Sequence, residues 1–170
     1  MKNRIYHLII GGNLGNRVAT LAASRKLIGA EAGEILKAST VYETQPWGVE
    51  DQPWFLNQAL EIRSSLLPSE MLRVIKDIET KVGRQPSEKW HARTIDIDIL
   101  VCGEEIVHLP DLDIPHPLFH QRNFALVPLM EIAPDLIHPV LKKPIDELYG
   151  ESRDHGEVYI FNLDEQENAV

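Results

Sequence analysis

The hydrophobic pattern is clearest at residues 93–100, RTIDIDIL, where isoleucines alternate with Asp96 and Asp98. A period of two predicts a strand with one buried face. Alternate side chains of a strand point to the same side, so the aspartates share the face opposite the isoleucines, about 7 Å apart. We therefore predict a strand over 94–102 that carries two like charges on one face.

Similar patterns predict the other elements of the first two thirds of the chain. The predicted strands lie at 4–10, 34–43 and 55–64, and the predicted helices lie at 17–31 and 68–82. Asn16 suits the N-cap of the first helix, while Gly33 and Gly83 suit the two helix ends. A turn after residue 102 leads to a short partner strand at 105–109.

Prolines divide the chain from residue 109 onward into short helices and loops, with one late strand predicted at 157–161. The order of the earlier elements is strand, helix, strand, strand, helix, strand. This order is typical of a ferredoxin-like α+β fold, a βαββαβ core in which helices pack on an antiparallel sheet. We predict one domain over 1–162 and a solvated tail at 163–170.

Composition narrows the function classes. The formal net charge of −9 disfavours nonspecific binding to nucleic acids or anionic membranes. The one cysteine, Cys102, lies in an apolar run and is expected to be a buried, inert thiol, in keeping with a reducing compartment. Without a membrane-length apolar run or a signal-peptide pattern, the expected location is the cytoplasm.

The aspartate pair has three possible explanations. Like charges on one face are relieved by a cation, and Mg²⁺ binds one or two carboxylates together with substrate phosphates. Basic residues upstream, Arg84, Lys89 and Arg93, suit a metal–polyphosphate ligand, but they also suit ordinary salt bridges. A solvated strand face is the third interpretation.

Two other groups of residues could carry chemistry. Asn57 offers a paired donor and acceptor for the edge of a heterocycle, and Phe55 shares its strand face and could stack on the ring; the alternative is a half-exposed strand asparagine. His116 and His120 are four residues apart, but Pro117 and the lack of an intervening glutamate argue against a zinc motif. The GGNLGN stretch is interpreted as a tight turn before a helix rather than a phosphate-binding loop.

Five stretches, in order, resemble one known family. They are IGGNLGNR, YETQPWGVEDQPWFLNQAL, IETKVGR, WHARTIDIDIL and IPHPLFHQRNFALVPLMEIAPDL. Together they are similar to the 6-hydroxymethyl-7,8-dihydropterin pyrophosphokinases of folate biosynthesis, over roughly residues 5–140. Phe55 stands where that family often has tyrosine, and WHAR replaces the usual Trp-Gly-Pro-Arg.

The resemblance implies an activity and a set of site residues. ATP would donate its pyrophosphoryl group to the hydroxymethyl oxygen of the pterin, releasing AMP, and Asp96 and Asp98 would hold two Mg²⁺ ions. The residues implied in catalysis are Asp96, Asp98, Arg84 and Arg93. Those implied in pterin binding are Thr44, Trp47, Phe55, Asn57 and Phe124. Those implied in ATP binding are Leu72, Glu79, Arg84, Trp90, Arg93, Ile99, His116 and Arg122.

The implied partners are these two small molecules alone, with no nucleic acid or membrane, and the family suggests a monomer. Two other classes of function remain open on the sequence. A non-catalytic nucleotide sensor would bind ATP without turnover, and the altered WHAR stretch favours it. An RNA-binding sheet of the same topology is disfavoured by the acidic charge and by the lack of a strand rich in aromatic residues.

Overall fold

The computed structural model describes residues 2–84 and 92–163. The strands are β1 (Arg4–Gly12), β2 (Glu34–Ala38), β3 (Tyr42–Thr44), β4 (Phe55–Ser64), β5 (Asp96–Cys102), β6 (Val107–Leu109), β7 (Leu112–Ile114) and β8 (Val158–Ile160). The helices are α1 (Arg17–Glu31), α2 (Pro68–Val82), α3 (Asn123–Ile132) and α4 (Ile145–Glu151), with a 3₁₀ turn at Phe119–Gln121.

The central feature is an antiparallel sheet in the order β5-β1-β4-β3-β8, with β2 pairing to β4 alongside β3. Strands β1 and β4 lie in the middle, and the connection between β4 and β5 passes through α2. The predicted ferredoxin-like α+β fold is therefore confirmed. Strand β8 extends the sheet beyond β3.

The main core lies between one face of the sheet and helices α1 and α2. It contains Tyr6, Leu8, Ile10, Leu56, Leu60, Ile62, Ile97 and Ile99 from the sheet and Leu21, Ile28, Met71, Ile75 and Ile78 from the helices. Full burial of a large apolar side chain stabilises the fold by roughly 1.5–3 kcal/mol. The isoleucines of β5 thus fix which way that strand faces, and the aspartates are directed to the opposite side.

A second apolar cluster covers part of that opposite face. Ile9, Ala59, Leu100 and Val101 of the sheet pack there against α3, α4 and the 3₁₀ turn. Helix α3 covers this face only in part, and the uncovered part, beside the first turn of α3, holds Asp96 and Asp98.

The two long helices begin and end where the sequence predicts. The Asn16 side chain accepts a hydrogen bond from the Ala19 amide at 3.0 Å, as an N-cap does. Helix α2 begins at Pro68 and ends at Val82, and Gly83, which caps it, has a φ of 110°, in the left-handed region that favours glycine. Strand β4 also matches its predicted bounds.

Two predictions about strands are wrong. The strand predicted at 34–43 is divided into β2 and β3, because Ser39 turns toward the neighbouring strand and its hydroxyl accepts a hydrogen bond from the Ala59 amide at 2.9 Å. The segment predicted as a partner of β5, residues 105–109, instead forms a separate two-stranded hairpin of β6 with β7. The first division depends on a contact between residues 20 positions apart, whereas the second results from a local turn that pairs β6 with the strand that follows it.

The other predictions for this region are confirmed or lie outside the described residues. The late strand is present as β8, and Cys102 is buried as expected. Within 2–84 and 92–163, no helix has the length and apolar character that crossing a bilayer requires. Of the predicted tail at 163–170, residues 164–170 lie outside the described residues, and the domain limits stay a prediction.

His138 is a buried histidine that anchors the connection between α3 and α4. Its Nδ1 accepts hydrogen bonds from the amides of Val140 and Leu141, at 3.2 and 3.0 Å, so the neutral ring carries its proton on Nε2. The ring stacks on Phe119. Burial, with a smaller effect of nearby His120, lowers the pKa of His138 to about 4.

We predict that His138 contributes to acid sensitivity. As the pH is lowered from about 6.5 to about 4, the unfolded chain binds a proton at His138 that the folded state excludes. The free energy of unfolding therefore decreases by at most about 1.4 kcal/mol for each unit by which the pH is lowered. His138→Asn keeps an acceptor for the two amides and removes the titration, so its urea midpoint should fall less on acidification.

The control is His155→Asn, at an exposed position, which should keep the wild-type pH dependence. His7, His116 and His120, whose pKa values are also lowered by burial, are present in both variants. Because His120 contacts the ring of His138, the comparison reports the titration of His138 together with its effect on His120. Equal pH dependence of wild type and His138→Asn would contradict the assignment.

Candidate active site

A cavity lies on the sheet face opposite α1 and α2, where β1, β4 and β5 lie beside the start of α3. Its lining consists of Ile9, Gly11, Thr44, Gln45, Trp47, Phe55, Asn57, Arg93, Asp96, Asp98, Arg122 and Phe124. The cavity thus brings together both aspartates, all five residues predicted for the pterin, and the arginines at 93 and 122.

The two aspartates form the acidic floor of the cavity. Across the β1–β5 ladder, Asp98 lies opposite Ile9 and Asp96 lies opposite Gly11. Loss of hydration, reinforced by the charge of Asp96, raises the pKa of Asp98 to about 7. An ionised pair is therefore unfavourable here without a compensating positive charge.

Two arginines supply positive charge to one member of the pair. Arg84 Nη1 and Arg93 Nη1 each lie 3.1 Å from a different carboxylate oxygen of Asp96. Arg84 follows α2 and Arg93 precedes β5, so the two ends of the α2–β5 connection meet at this carboxylate. The salt-bridge interpretation is thus correct for Arg84 and Arg93 at Asp96.

Glu79 orients Arg84 from behind the cavity. Its side chain is 2% exposed, and its Oε2 accepts hydrogen bonds from Arg84 and, at 3.1 Å, from the Ile97 amide. Its Oε1 pairs with Lys76 at 3.1 Å. Burial is the main cause that raises the pKa of Glu79. Glu79 is therefore placed to position Arg84 and β5, and it does not line the cavity.

The polar end of the cavity contains Asn57 and Thr44. Asn57 Nδ2 donates to Thr44 Oγ1 at 2.7 Å, and both residues are buried. Gly11 makes room for this pair, since a Cβ at Gly11 would lie 2.0 Å from Asn57 Oδ1. Asn57 is thus held by its neighbours in one orientation, contrary to the half-exposed alternative.

Arg122, the residue just before α3, contacts two aromatic rings. Its guanidinium carbon is 4.4 Å from the ring centre of Trp47 and 5.9 Å from that of Phe124. Because cations are attracted to aromatic faces, these contacts join the long loop after β3 to the first turn of α3. Desolvation lowers the pKa of Arg122, and Asp98 opposes this shift.

His116 lies next to the cavity but does not line it. Its backbone amide donates to Leu100 O at 2.8 Å, and its Nδ1 accepts from the Leu118 amide at 3.2 Å. Burial, helped by the charge of Arg122, lowers the pKa of His116 to about 4. The ring is therefore neutral near pH 7, with a proton on Nε2 available to donate.

Two of the residues predicted for ATP, Leu72 and Ile99, lie away from the cavity. Leu72 lines a separate groove on α2 with Ser69, Arg73, Lys76 and Asp111. Ile99 is 4% exposed and packs into the main core. Trp90 lies outside the described residues, as does Lys89.

Asn13 is a structural residue of the site that the sequence reasoning missed. Its Oδ1 accepts from the Arg93 amide at 2.9 Å, and its Nδ2 donates to Pro53 O at 2.8 Å. It thereby ties the turn after β1 to the segments that lead into β4 and β5. Its place in GGNLGN, a stretch interpreted only as a turn, was the available signal.

The carboxylate pair is small for a metal site made of protein ligands alone. Within the described part of the chain, no group of three or more histidine, cysteine, aspartate or glutamate side chains could hold a metal ion. Two carboxylates with arginines beside them suit ions that take their remaining ligands from a phosphate-bearing substrate. A ferredoxin-like fold with this site defines a candidate phosphoryl-transfer enzyme.

Comparisons with known proteins identify the family. The model of the 7,8-dihydro-6-hydroxymethylpterin-pyrophosphokinase family matches residues 7–134. The chain is 45% identical over 147 residues to the 2-amino-4-hydroxy-6-hydroxymethyldihydropteridine pyrophosphokinase of Aquifex aeolicus, covering 86% of this chain and 91% of that protein. The Bacillus subtilis protein of the same name is 40% identical, covering 76% of this chain and 78% of that protein. The chain belongs to this family of transferases.

A solved structure agrees on the fold. The chain of a Plasmodium falciparum HPPK-DHPS crystal structure superposes with a TM-score of 0.73 at 20% identity, covering 88% of this chain and 43% of that chain. This chain therefore spans less than half the length of that protein, and the likeness concerns the fold alone.

We predict that Gly11→Ala disturbs the site through Asn57. The added Cβ would also lie 2.8 Å from Leu56 O, so local overpacking should cost about 1–3 kcal/mol of unfolding free energy. Part of this cost should disappear in Gly11→Ala/Asn57→Ala, because the nearest clash is with the Asn57 side chain. Urea denaturation of the double-mutant cycle measures the coupling.

Gly29→Ala on α1 is the matched control, since its Cβ would meet only Ile35 Cδ1, at 3.8 Å. This variant should be as stable as wild type or slightly more stable. Strict additivity of the Gly11 and Asn57 substitutions would disprove the proposed clash.

Proposed function

We propose that this protein transfers the pyrophosphoryl group of ATP to the hydroxymethyl oxygen of 6-hydroxymethyl-7,8-dihydropterin, giving the pterin diphosphate and AMP. Membership of the family supports the reaction. The proposal depends on one observation: the Asp96–Asp98 pair and the Asn57–Thr44 pair line the same cavity. One end suits a charged phosphate chain and the other suits the edge of a flat heterocycle.

The aspartate pair fits magnesium. Burial raises the pKa of Asp98, so the ionised pair gains from a bound cation, and carboxylate oxygens are ligands that Mg²⁺ prefers. We propose that Asp96 and Asp98 hold two Mg²⁺ ions together with the triphosphate. Bound magnesium would supply neutralisation of the charge on the transferring group.

The basic residues act on the triphosphate. Arg84 and Arg93 are already within reach of Asp96, so they are held where they can donate to phosphate oxygens beside it. Arg122 offers a third guanidinium, and neutral His116 offers its Nε2 proton. These groups orient the chain of phosphates and stabilise the charge that develops as the bond between the α- and β-phosphates breaks.

The pterin is proposed to lie at the other end of the cavity. The Asn57 amide and the Thr44 hydroxyl present donors and acceptors to the edge of the ring, and Phe55, Phe124 and Trp47 provide apolar faces. The hydroxymethyl group then points toward the aspartates. Because this transfer depends mainly on positioning and charge stabilisation, a strong protein base is not required.

Several broader predictions accompany this proposal. We propose that the protein acts on small molecules as a monomer, as one domain over 1–162, and in the cytoplasm. The net charge of −9 and the single buried cysteine are in keeping with these proposals.

The proposal is tested by mixing the protein with ATP, Mg²⁺ and the hydroxymethyl dihydropterin and identifying the nucleotide product. We expect AMP in amounts equal to the pterin diphosphate. Formation of ADP, or ATP binding without turnover, would favour a kinase or a nucleotide sensor instead.

In the same assay, Asp96→Ala and Asp98→Ala should each lower kcat by at least about 100-fold, since about 3 kcal/mol of electrostatic stabilisation is lost. Their far-UV circular dichroism should match wild type because both side chains lie on the cavity face. Asp135→Ala, at an exposed position after α3, is the control and should retain full activity. Near-wild-type turnover by either cavity variant would exclude the metal-binding role.

Asn57→Ala should weaken pterin binding by roughly 10-fold, as expected for two lost hydrogen bonds, with a smaller effect on a nonhydrolysable ATP analogue. Isothermal titration calorimetry of each ligand measures the difference. Gln58→Ala, at the next position of β4, is the control because its amide bonds Arg25 and Ser39 away from the cavity. A larger loss for the nucleotide than for the pterin would disprove the assignment of Asn57.

A further inference from the structure

Residues 152–161 form a segment, here named the brace, that lies beyond the family-model match at 7–134. It follows α4 and ends in β8 and Phe161. The brace runs along one side of the candidate active site and contacts both of its walls. One wall is the first turn of α3, with Arg122 and Phe124, and the other is β3 with the loop that follows it.

On the first wall, Asp154 caps α3. Its Oδ2 accepts a hydrogen bond from the Asn123 amide at 2.8 Å, and its backbone oxygen accepts one from Asn123 Nδ2 at 3.1 Å. Asn123 is the first residue of α3, and the helix receives no cap from Arg122, the preceding side chain. The cap of this helix is thus supplied by a residue 31 positions further along the chain.

The chemistry of the contact suits a helix N-terminus. Amides of the first turn lack partners within the helix, and aspartate and asparagine are among the side chains that satisfy them best. Asp154 is itself fixed, because its Oδ1 accepts from the Gly156 amide at 2.9 Å. The carboxylate is therefore held in place before it reaches α3.

On the second wall, the brace pairs with the chain around Thr44. Strand β8 is antiparallel to β3, with Thr44 opposite Val158. Beyond β3, the Gln45 amide donates to Glu157 O at 3.0 Å, and the Glu157 amide donates to Gln45 Oε1 at 3.1 Å. These bonds fix the first residue of the loop that carries Trp47.

We infer that the brace sets the separation of the two walls of the pterin cavity and that Asp154 is the positioning residue that ties it to α3. The inference rests on the proposed function for the identity of the ligand. Without the cap, the first turn of α3 would loosen, and Arg122 would lose its fixed position against Trp47 and Phe124. Asp154 acts through these residues and is not a catalytic residue.

Three substitutions separate the capping geometry from the charge of Asp154. Asp154→Asn keeps one of the two acceptor oxygens at the same length, enough for the Asn123 amide but not also for the Gly156 amide, and removes the charge. Asp154→Glu keeps the charge and lengthens the side chain. Asp154→Ala removes both. A lost N-cap costs about 1 kcal/mol, so Asp154→Ala should raise the KM for the pterin roughly 5- to 10-fold, with kcat at saturation within about 2-fold.

The geometric role requires that the KM of Asp154→Asn, which keeps one acceptor for the Asn123 amide, lie between those of wild type and Asp154→Ala, and that Asp154→Glu resemble Asp154→Ala. The opposite order, with Asp154→Glu active and Asp154→Asn impaired, would overturn it in favour of a purely electrostatic role. A KM unchanged in all three variants would overturn the positioning role altogether. Asp135→Ala is the matched control and should behave as wild type.

Amide hydrogen exchange tests the brace independently of activity. Asp154→Ala should speed exchange in the first turn of α3 but not in α2, and Asp154→Asn should speed it less than Asp154→Ala. If the wild-type protein forms no AMP, the proposed function fails while this exchange pattern still supports the brace. If the wild-type protein is active and α3 exchanges equally in all variants, the inference about the brace is disproved while the proposed function stands.

Discussion

The constraint on which the site depends is the placement of two like charges on one face of a strand whose other face is core. Ile97 and Ile99 enter the main core, so Asp96 and Asp98 must face the cavity. A shift of one residue in the pairing of β1 with β5 would bury both carboxylates among apolar side chains. The packing that stabilises the sheet therefore also fixes the polarity of the site, and neither can change without the other.

A chain of charged contacts extends this constraint from the sheet to α2. Glu79 is buried and bonds both the Ile97 amide and Arg84, and Arg84 bonds Asp96 in turn. A buried charge is stable only when it is paired and hydrogen-bonded, so the loss of any member leaves another uncompensated. This network couples the orientation of Arg84, which bonds the cavity carboxylate of Asp96, to the packing of α2. It also explains why Glu79 belongs to the site although it does not line the cavity.

Much of the fold could be predicted because its signals are local. The bounds of α1, α2 and β4 follow from apolar periodicity and from capping residues such as Asn16 and Gly83. The division of the second predicted strand could not be foreseen, because it depends on Ser39 meeting Ala59 across the sheet. The cap from Asp154 to Asn123 and the hydrogen bonds of Asn13 are likewise contacts between distant parts of the chain. The resemblance supplied the cavity residues, and the alternation along β5 already places Ile99 on the core face, opposite the aspartates. Only the fold shows that Leu72 lines a separate groove on α2.

Strand β8 adds a consequence for the order in which the molecule is built on the ribosome. It is translated after all the other strands described, yet it pairs with β3, which is made early. The central strands and the two long helices can collapse while the brace beside the cavity is still being synthesised. Until β8 arrives, the outer edge of β3 exposes unpaired amides and carbonyls, which is a template for wrong pairing between nascent chains. Bracing of the cavity walls and protection of this edge therefore coincide in a single late event.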